Sequence, residues 1–222
     1  MSAWPAIAPK TRREALALAA NRFRGLGPEP YLFAWFKLRT DPMFGRLVEL
    51  VGESRHLLDL GAGYGVPAVW LLAHHRELTV TAVESDPERA RVAERAIGAR
   101  GSVHRSRLPE LPPPAAPIDR VLLLDVLHYL GDEELRPLLT RVRQRLEPGG
   151  MLLIRDTVPS PKRLPWERWV EGWRLGRRGL AVRFRSASEL GLELEQAGYQ
   201  VTNETTPGRE ETWFVARPGH GG

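Results

Sequence analysis

The chain has 222 residues, of which 42% are hydrophobic and 27% are charged, and its formal net charge is +5. That length suits one domain with a full hydrophobic core, and no apolar stretch approaches the ~20 residues that span a bilayer. The absence of cysteine excludes disulfides, thiolate metal sites and a cysteine nucleophile. Residues 1–10 contain no apolar signal segment, so we expect a cytoplasmic protein without a transmembrane segment.

The first fifty residues predict three helices. Residues 11–24 are rich in alanine, leucine and arginine at helical spacing, and a Gly-Leu-Gly-Pro breaker follows them. Residues 31–37 form an aromatic-rich helix, and Asp41-Pro42 begins a third that runs to about Val51.

Short apolar runs and helix patterns then alternate along the chain. The predicted strands are residues 56–60, 78–83, 102–105, 120–125, 151–154, 199–205 and 211–216. The predicted helices are residues 66–75, from Asp86-Pro87 to 97, 132–146 and 188–197. This alternation predicts a doubly wound, Rossmann-like α/β sheet of seven mostly parallel strands with helices on both faces. The short Pro207-Gly208 turn predicts that the last two strands form an antiparallel hairpin.

A glycine-rich loop follows the first predicted strand at residues 59–65, which read Asp-Leu-Gly-Ala-Gly-Tyr-Gly. Ligands of doubly wound sheets bind beyond the carboxyl ends of the strands, where glycine lets the backbone approach closely. The spacing is G-x-G-x-G, and Val66 stands where a dinucleotide fingerprint has its last glycine, which weakens a reading as a NAD-dependent oxidoreductase. Glu84 ends the second strand, where a carboxylate can accept hydrogen bonds from ribose hydroxyls.

The order of several motifs resembles one family. Residues 57–65 resemble motif I of class I S-adenosylmethionine (SAM) dependent methyltransferases, and Glu84 falls at the motif II acid. Residues 118–130 resemble the motif IV strand, and the Leu-Glu-Pro-Gly-Gly-Met-Leu run at 146–152 resembles the approach to strand five. With the glycine turn before strand six, the resemblance covers about residues 44–217.

The resemblance implies SAM as cofactor and a helical lid at residues 1–50 over a SAM-binding domain at residues 51–222. Asp59 would orient the loop or the cofactor's amino group, Glu84 would hold the ribose, and the adenine would lie beside Ser85. Many members have an acid after strand three, whereas this chain has Ser106 and Arg107 there, so Ser106 or a backbone carbonyl would replace it. The complete expected cofactor set is Tyr31, Lys37, Asp59, Gly61, Ala62, Gly63, Gly65, Glu84, Ser85, Ser106, Arg107 and Asp125.

Two further positions are candidates for chemistry on the acceptor. His128 follows the central strand and is the best candidate for a general base, because an imidazole titrates near working pH. The alternative role for His128 is to pack against the cofactor or to cap the next helix. Asp156, after strand five, would either contact the acceptor or the base, or cap a helix or close a loop. We interpret His74 and His75 as surface residues near a helix end, and we predict no metal site.

Aromatic residues provide candidate walls for both ligands. Tyr31, Trp35 and Phe36 either wall the cofactor pocket or pack on the core, with Lys37 or Arg39 pairing with the SAM carboxylate. An expected acceptor-site insertion near residues 157–185 has three tryptophans on one helical face, surrounded by arginines. It suits an aromatic, acyl or anionic acceptor or an anionic membrane surface, and the alternative is a packed helix with a solvated basic face. The insertion's tryptophans and arginines are Trp166, Trp169, Trp173, Arg163, Arg168, Arg174, Arg177 and Arg178.

These observations favour a small-molecule methyltransferase that methylates oxygen on an aromatic, acyl or carboxylic acceptor. The positive charge keeps a nucleic-acid (RNA) methyltransferase as an alternative. Residues 125–128 lack the Asn/Asp-Pro-Pro-Tyr/Phe motif that grips a base nitrogen, so a nucleic-acid substrate is disfavoured. A SAM-fold protein that binds without catalysis is the third possibility. The acceptor and the oligomeric state are not determined by the sequence.

Overall fold

The computed structural model describes residues 4–5, 9–113, 117–157, 183–205 and 211–219. The helices in these ranges are α1 (Arg12–Asn21), α2 (Pro28–Thr40), α3 (Met43–Val51), α4 (Val66–His74), α5 (Pro87–Ile97), α6 (Asp132–Arg145) and α7 (Ala187–Gln196), with short 3₁₀ turns at Gly98–Arg100 and Leu127–Tyr129. The strands are β1 (His56–Leu60), β2 (Thr79–Val83), β3 (Gly101–His104), β4 (Ile118–Leu124), β5 (Leu146–Thr157), β6 (Tyr199–Thr205) and β7 (Glu211–Pro218). Within the described ranges, none of the helices has the length and apolar character needed to cross a membrane.

The strands form one sheet of seven in the order β3-β2-β1-β4-β5-β7-β6. β1, β2 and β3 are parallel, with Leu58 opposite Thr81 and Thr81 opposite Ser102. β7 is antiparallel to both β5 and β6, with Ala216 opposite Leu152 on one side and Val201 on the other. The predicted doubly wound sheet and its C-terminal antiparallel hairpin are therefore confirmed.

The chain divides into two compact units, residues 1–121 and 122–222. In the first unit, α4 is the most buried helix, since seven of its nine residues are buried. Its Trp70 is 1% exposed, packs edge-on against Phe44 of α3 at 5.7 Å and donates its indole N–H to the Phe44 carbonyl at 2.7 Å. A buried indole needs such a partner, so this contact fixes how α3 packs on α4.

Arginine side chains complete the first unit around the end of α4. Arg100 donates to the carbonyls of Leu72 at 2.7 Å and Leu78 at 2.8 Å, and also to those of His75 and Arg76. The last carbonyls of a helix have no partner within the helix, and this guanidinium binds that of Leu72 together with carbonyls of the loop that follows α4. Trp4 lies within cation–π distance of both Arg100 (5.3 Å) and Arg22 (4.6 Å), which places the start of the chain against the same end.

In the second unit, α6 and α7 pack beside the C-terminal hairpin. The Tyr199 hydroxyl of β6 donates to the Leu139 carbonyl of α6 at 2.9 Å. Arg136 of α6 binds Glu193 of α7 through two nitrogens, at 2.7 and 3.0 Å. Ser186 caps α7 by accepting from the backbone N–H of Glu189 at 3.2 Å, so α7 begins one residue before the position predicted from sequence.

The interpretation of His74 and His75 as surface residues is wrong. Both side chains are half-buried, and the Nε2 atom of each is shielded from solvent without a partner among the described residues. The His74 ring lies edge-on to Trp70 at 4.3 Å, so the last turn of α4 packs inward as its earlier turns do. Burial, helped by the charges of His75 and Arg12, lowers the pKa of His74 to about 4.

Candidate cofactor site and candidate acceptor site

The glycine loop joins β1 to α4 and is held by backbone hydrogen bonds. The amides of Gly61 and Ala62 donate to the Val83 carbonyl at 2.8 and 3.0 Å, and Gly65 donates to the Ala62 carbonyl at 2.8 Å. Gly61, Gly63 and Gly65 all have positive φ, at 76°, 58° and 77°. Side chains disfavour that conformation, so glycines are needed for this turn. A Cβ on Gly63 would meet no described atom within 4 Å, so the loop faces open space there.

Glu84 fixes this loop to the start of α5. Its Oε2 accepts the Gly63 amide at 2.7 Å, and its Oε1 accepts the Asp86 amide at 2.8 Å and the Ser85 hydroxyl at 3.4 Å. A carboxylate has about four acceptor positions, so one on Oε2 remains open and the long Ser85 contact is easily exchanged. The side chain that the sequence assigned to a ribose thus has the capacity to bind two hydroxyls.

Asp59 is a buried acid without a complete set of partners. It is 2% exposed, and its Oδ2 has no hydrogen-bond partner in the described part of the chain. Burial and the neighbouring Glu84 charge raise the pKa of Asp59 to about 7, while the Lys37 ammonium opposes that rise. An orphaned carboxylate oxygen of this kind suits an ammonium group such as that of the SAM amino acid.

Helix α2 contacts the glycine loop through Tyr64. The Tyr64 hydroxyl donates to Glu29 at 3.0 Å, and its ring packs edge-on against Phe33 at 5.5 Å. Burial and the Glu29 hydrogen bond raise the pKa of Tyr64. The sequence analysis singled out none of these three as site residues, although Tyr64 lies within the recognised motif.

The other candidates on α2 are Lys37, Tyr31, Trp35 and Phe36, which differ in their exposure and in their contacts. Lys37 lies close enough to Asp59 to lower its pKa, and its pairing with the SAM carboxylate stays a prediction. Tyr31 is half-buried in the first turns of α2. Trp35 is 41% exposed beneath the Arg39 guanidinium and Phe36 is 62% exposed, so a role in walling the pocket stays a prediction.

The expected adenine contacts lie at the ends of β2 and β3. Ser85 is exposed directly after Glu84, and the Glu84 amide donates to the His104 carbonyl at 3.1 Å. Ser106 is half-buried, with its amide on the same carbonyl at 3.2 Å, and Arg107 is exposed beside it. Both residues therefore follow the strand next to β2, and their contact with adenine stays a prediction.

In the second unit, His128 and Asp156 form a dyad. His128 lies in the 3₁₀ turn after β4, and Asp156 lies near the end of β5. The imidazole Nδ1 is 3.3 Å from Asp156 Oδ1, and the two side chains are 12% and 6% exposed. A carboxylate on Nδ1 favours the tautomer in which Nε2 carries the lone pair, so the far nitrogen is prepared to accept a proton.

Asp125 is held by an ion-pair network that sequence analysis did not foresee. Arg155 contacts Asp125 Oδ2 at 3.3 Å and binds Glu211 Oε2 with two nitrogens, at 2.6 and 2.9 Å. Asp125 has φ 56°, and its amide donates to the Arg155 carbonyl at 2.8 Å. Glu211 is 56 residues from Arg155 in sequence, so no local pattern indicates this pairing. The expected cofactor role of Asp125 stays a prediction, and Asp125 shares the Arg155 guanidinium with Glu211.

Two further expectations concern a metal site and the acceptor segment. Among the described residues, no group of three or more His, Cys, Asp or Glu side chains is placed to hold a metal ion. The tryptophans and arginines of the expected acceptor segment, within residues 158–182, lie outside the described residues.

A glycine loop, a strand-end carboxylate and a buried acid at the ends of parallel strands define a protein that binds a nucleoside cofactor. The chain belongs to the methyltransferase family, since the family model for a methyltransferase domain matches residues 29–204. A probable SAM-dependent methyltransferase of Mycolicibacterium smegmatis is 30% identical over 189 residues, which make up 84% of this chain and 66% of that protein. The chain therefore spans just under two thirds of the length of that relative.

Solved structures at lower identity share the fold. An O-methyltransferase family protein from Burkholderia thailandensis superimposes with a TM-score of 0.69 at 17% identity, over 95% of this chain and 70% of that one. Human N-acetylserotonin methyltransferase in complex with SAM gives 0.62 at 19% identity, over 91% and 59%. The predicted family and fold class are thus confirmed, and SAM is the cofactor of this family.

Proposed function

We propose that the protein is a SAM-dependent O-methyltransferase of a small hydroxyl-bearing molecule, with His128 as its general base. The observation that carries the proposal is the contact between His128 Nδ1 and Asp156 Oδ1 at 3.3 Å. A base oriented by a second group is the arrangement that removes a proton from a hydroxyl nucleophile.

The residues of the first unit fit the cofactor. The Asp59 carboxylate, whose Oδ2 is unpartnered, would bind the ammonium of SAM. Glu84 would accept the ribose hydroxyls, and Gly63 would let the backbone lie close to the ligand. When bound, SAM would supply a methyl group attached to a positively charged sulfur. The bond between the methyl carbon and the sulfur would break as the acceptor oxygen attacks in line, and S-adenosylhomocysteine would be the leaving group.

The dyad favours a neutral hydroxyl over a carboxylate as acceptor. A carboxylic acid is already ionised near pH 7 and has no proton for His128 to remove. Nε2 of His128 would take the hydroxyl proton, and the positive charge that results on the ring would lie beside Asp156. Phe184, 39% exposed, stacks on the His128 ring at 5.6 Å and 26°, so it offers a planar apolar surface to an aromatic acceptor.

The test has two stages. Calorimetry with SAM and S-adenosylhomocysteine should show binding that Glu84→Gln weakens. Methyl transfer should then be assayed on matched phenols, alcohols, carboxylic acids and an RNA oligonucleotide, with phenols expected as the best acceptors. We expect His128→Asn and Asp156→Asn to lower kcat by roughly 10²–10⁴-fold while the Kd for SAM is unchanged.

His56→Asn is the matched control, because His56 lies at the start of β1 and bonds Thr79 at 2.8 Å. Its kcat should equal that of the wild type. A folded protein that binds neither cofactor form would contradict the proposal. Full activity of His128→Asn would show that His128 is not the general base. Methylation of RNA alone would favour the nucleic-acid alternative.

Other parts of the proposal rest on the sequence. We include in it the helical lid of residues 1–50, the acceptor insertion near residues 157–185 and a cytoplasmic location. SAM binding without turnover of any acceptor would favour the non-catalytic alternative instead.

A further inference from the structure

Arg185 is a buried arginine next to the turn that carries His128. Its side chain is 3% exposed. Its guanidinium donates to the carbonyls of Leu127 at 3.1 Å and Leu130 at 2.8 Å, and to Asp132 Oδ1 at 2.8 and 3.2 Å. Burying a guanidinium is unfavourable unless its donors are satisfied, and here three acceptors surround it.

These bonds close a turn that is weak by itself. The 3₁₀ turn at Leu127–Tyr129 contains hydrogen bonds from Tyr129 to Val126 at 3.1 Å and from Leu130 to Leu127 at 3.0 Å. Short 3₁₀ turns have poor hydrogen-bond geometry and are easily distorted. Arg185 binds a carbonyl at each end of this one, so it fixes the backbone on both sides of His128.

The neighbours of Arg185 act on His128 as well. The Arg183 amide donates to the His128 carbonyl at 2.8 Å, and the Phe184 ring stacks on the imidazole. Residues 183–185 therefore hold the main chain of His128 and one face of its ring, while Asp156 holds Nδ1. A displacement of about 1 Å in such a group can lower a rate by about a hundredfold.

We propose that Arg185 is a positioning residue for methyl transfer, acting by holding the 127–130 turn so that His128 faces the acceptor. The inference rests on the proposed function, because it requires His128 to be the base. Arg185 itself is bonded to backbone and Asp132 and acts through the turn.

The experiment combines Arg185→Lys with His128→Asn. Lysine keeps the charge but lacks the planar fork that reaches three acceptors together. We expect Arg185→Lys to lower kcat by about tenfold to a hundredfold, with the Kd for SAM within about twofold of the wild type. If Arg185 acts through His128, Arg185→Lys should lower kcat no further in the His128→Asn background.

Arg183→Gln is the matched control. The Arg183 guanidinium binds the other oxygen of Asp132 at 2.8 Å but is 56% exposed, and the bond to His128 comes from its backbone amide. An exposed ion pair contributes little, so this variant should keep the wild-type kcat. Asp132→Ala removes the third acceptor of Arg185 and should give a smaller loss of kcat that also disappears without His128. It provides the same test if Arg185→Lys does not fold.

Three results would overturn the inference. These are an unchanged kcat in folded Arg185→Lys, equal losses in the presence and absence of His128, and a loss of SAM affinity as large as the loss of kcat. Failure of the proposed function looks different, since His128→Asn alone would then retain full activity.

Discussion

Asp59 is an ionisable residue that is deeply buried, so its pKa differs between the folded and the unfolded protein. The folded pKa of about 7 exceeds the unfolded value near 3.9. The folded carboxyl stays protonated between about pH 4 and pH 7 while the unfolded one ionises, so stability falls as the pH rises through this range. Above pH 7, the charged acid destabilises the ligand-free protein by at most about 4 kcal/mol.

Asp59→Asn tests this directly, because asparagine has nearly the same shape and no charge. We expect the variant to gain stability relative to the wild type when the pH is raised from 5 to 8. Urea unfolding at both pH values measures the effect, and the difference between them cancels any pH-independent effect of the amide. A stability difference that is the same at pH 5 and pH 8 would contradict the raised pKa.

The same substitution should weaken the binding of SAM. A hydrogen bond to a charged group contributes about 1.5–3 kcal/mol, so the Kd should rise by about tenfold to more than a hundredfold at pH 8. Calorimetry with Asp59→Asn and Glu53→Gln compares loss of this acid with loss of an exposed one. An unchanged affinity of Asp59→Asn for SAM would show that this carboxylate does not bind the cofactor. A gain in stability together with a loss of binding would mark a functional residue that the fold alone does not favour.

His74 makes the opposite prediction about pH. Its folded pKa of about 4 lies below the unfolded value near 6.5, so the unfolded chain takes up the proton first on acidification. Stability from neutral His74 is fully present above about pH 6.5 and is lost as the pH falls to about 4. We expect His74→Phe, which keeps a ring against Trp70, to show a flatter stability profile between pH 7 and pH 4.5. Parallel profiles for the two proteins would show that His74 does not carry this dependence.

At the scale of elements, local signals predicted most of the fold. Asp86 was predicted to cap a helix, and its Oδ1 accepts the amides of Glu88 and Arg89 at 2.9 and 3.0 Å, so α5 begins where the sequence indicated. β1 and β6 also have the predicted bounds. Capping residues and buried apolar runs act within a few positions, which is why one sequence was sufficient.

β5 shows where local signals are insufficient. Its apolar run predicted residues 151–154, whereas the strand begins at Leu146 and continues to Thr157. Arg155 and Asp156 are polar, but they pair with Trp213 and Thr212 of β7, and this pairing extends the strand. The candidate site divides in the same way. Its glycine loop was predictable from adjacent positions, whereas the contacts of Arg185 depend on tertiary packing.

Gly65 connects the glycine loop to two helices and yields a prediction at this scale. It has φ 77°, and a Cβ placed there would lie 3.0 Å from the Ala93 Cβ of α5. We expect Gly65→Ala to distort the loop and weaken SAM binding by more than tenfold, since both backbone strain and a close contact oppose the methyl group. Calorimetry with SAM measures the loss.

Gly25→Ala is the matched control for Gly65→Ala. Gly25 has a similar φ of 82°, but a Cβ there would meet no described atom within 4 Å. This variant should lose some stability and bind SAM as the wild type does. Equal affinities in the two variants would show that Gly65 serves only the turn.

At the scale of the whole molecule, the candidate residues lie in two groups along the chain. The cofactor candidates Lys37, Asp59 and Glu84 lie in residues 1–121, and the dyad of His128 and Asp156 lies in residues 122–222. Each group is organised by contacts within its own unit. If the proposed roles hold, binding of the cofactor and removal of the acceptor proton should therefore be separable by substitution. Glu84 variants should change the Kd for SAM, and Asp156 variants should change kcat.

Ligand binding to the native state should be visible in the stability of the entire protein. A ligand at a hundred times its Kd stabilises the folded state by about 2.7 kcal/mol, which for a chain of this length raises Tm by roughly 5–10 °C. We expect this shift with SAM and with S-adenosylhomocysteine, and a much smaller shift in Glu84→Gln at the same concentrations. Glu88→Gln removes an exposed acid from the first turn of α5 and should keep the full shift.

NAD should give no shift, because the G-x-G-x-G loop lacks the last glycine of a dinucleotide site. A shift with NAD equal to that with SAM would mean that the loop binds nucleosides without selecting the methyl donor.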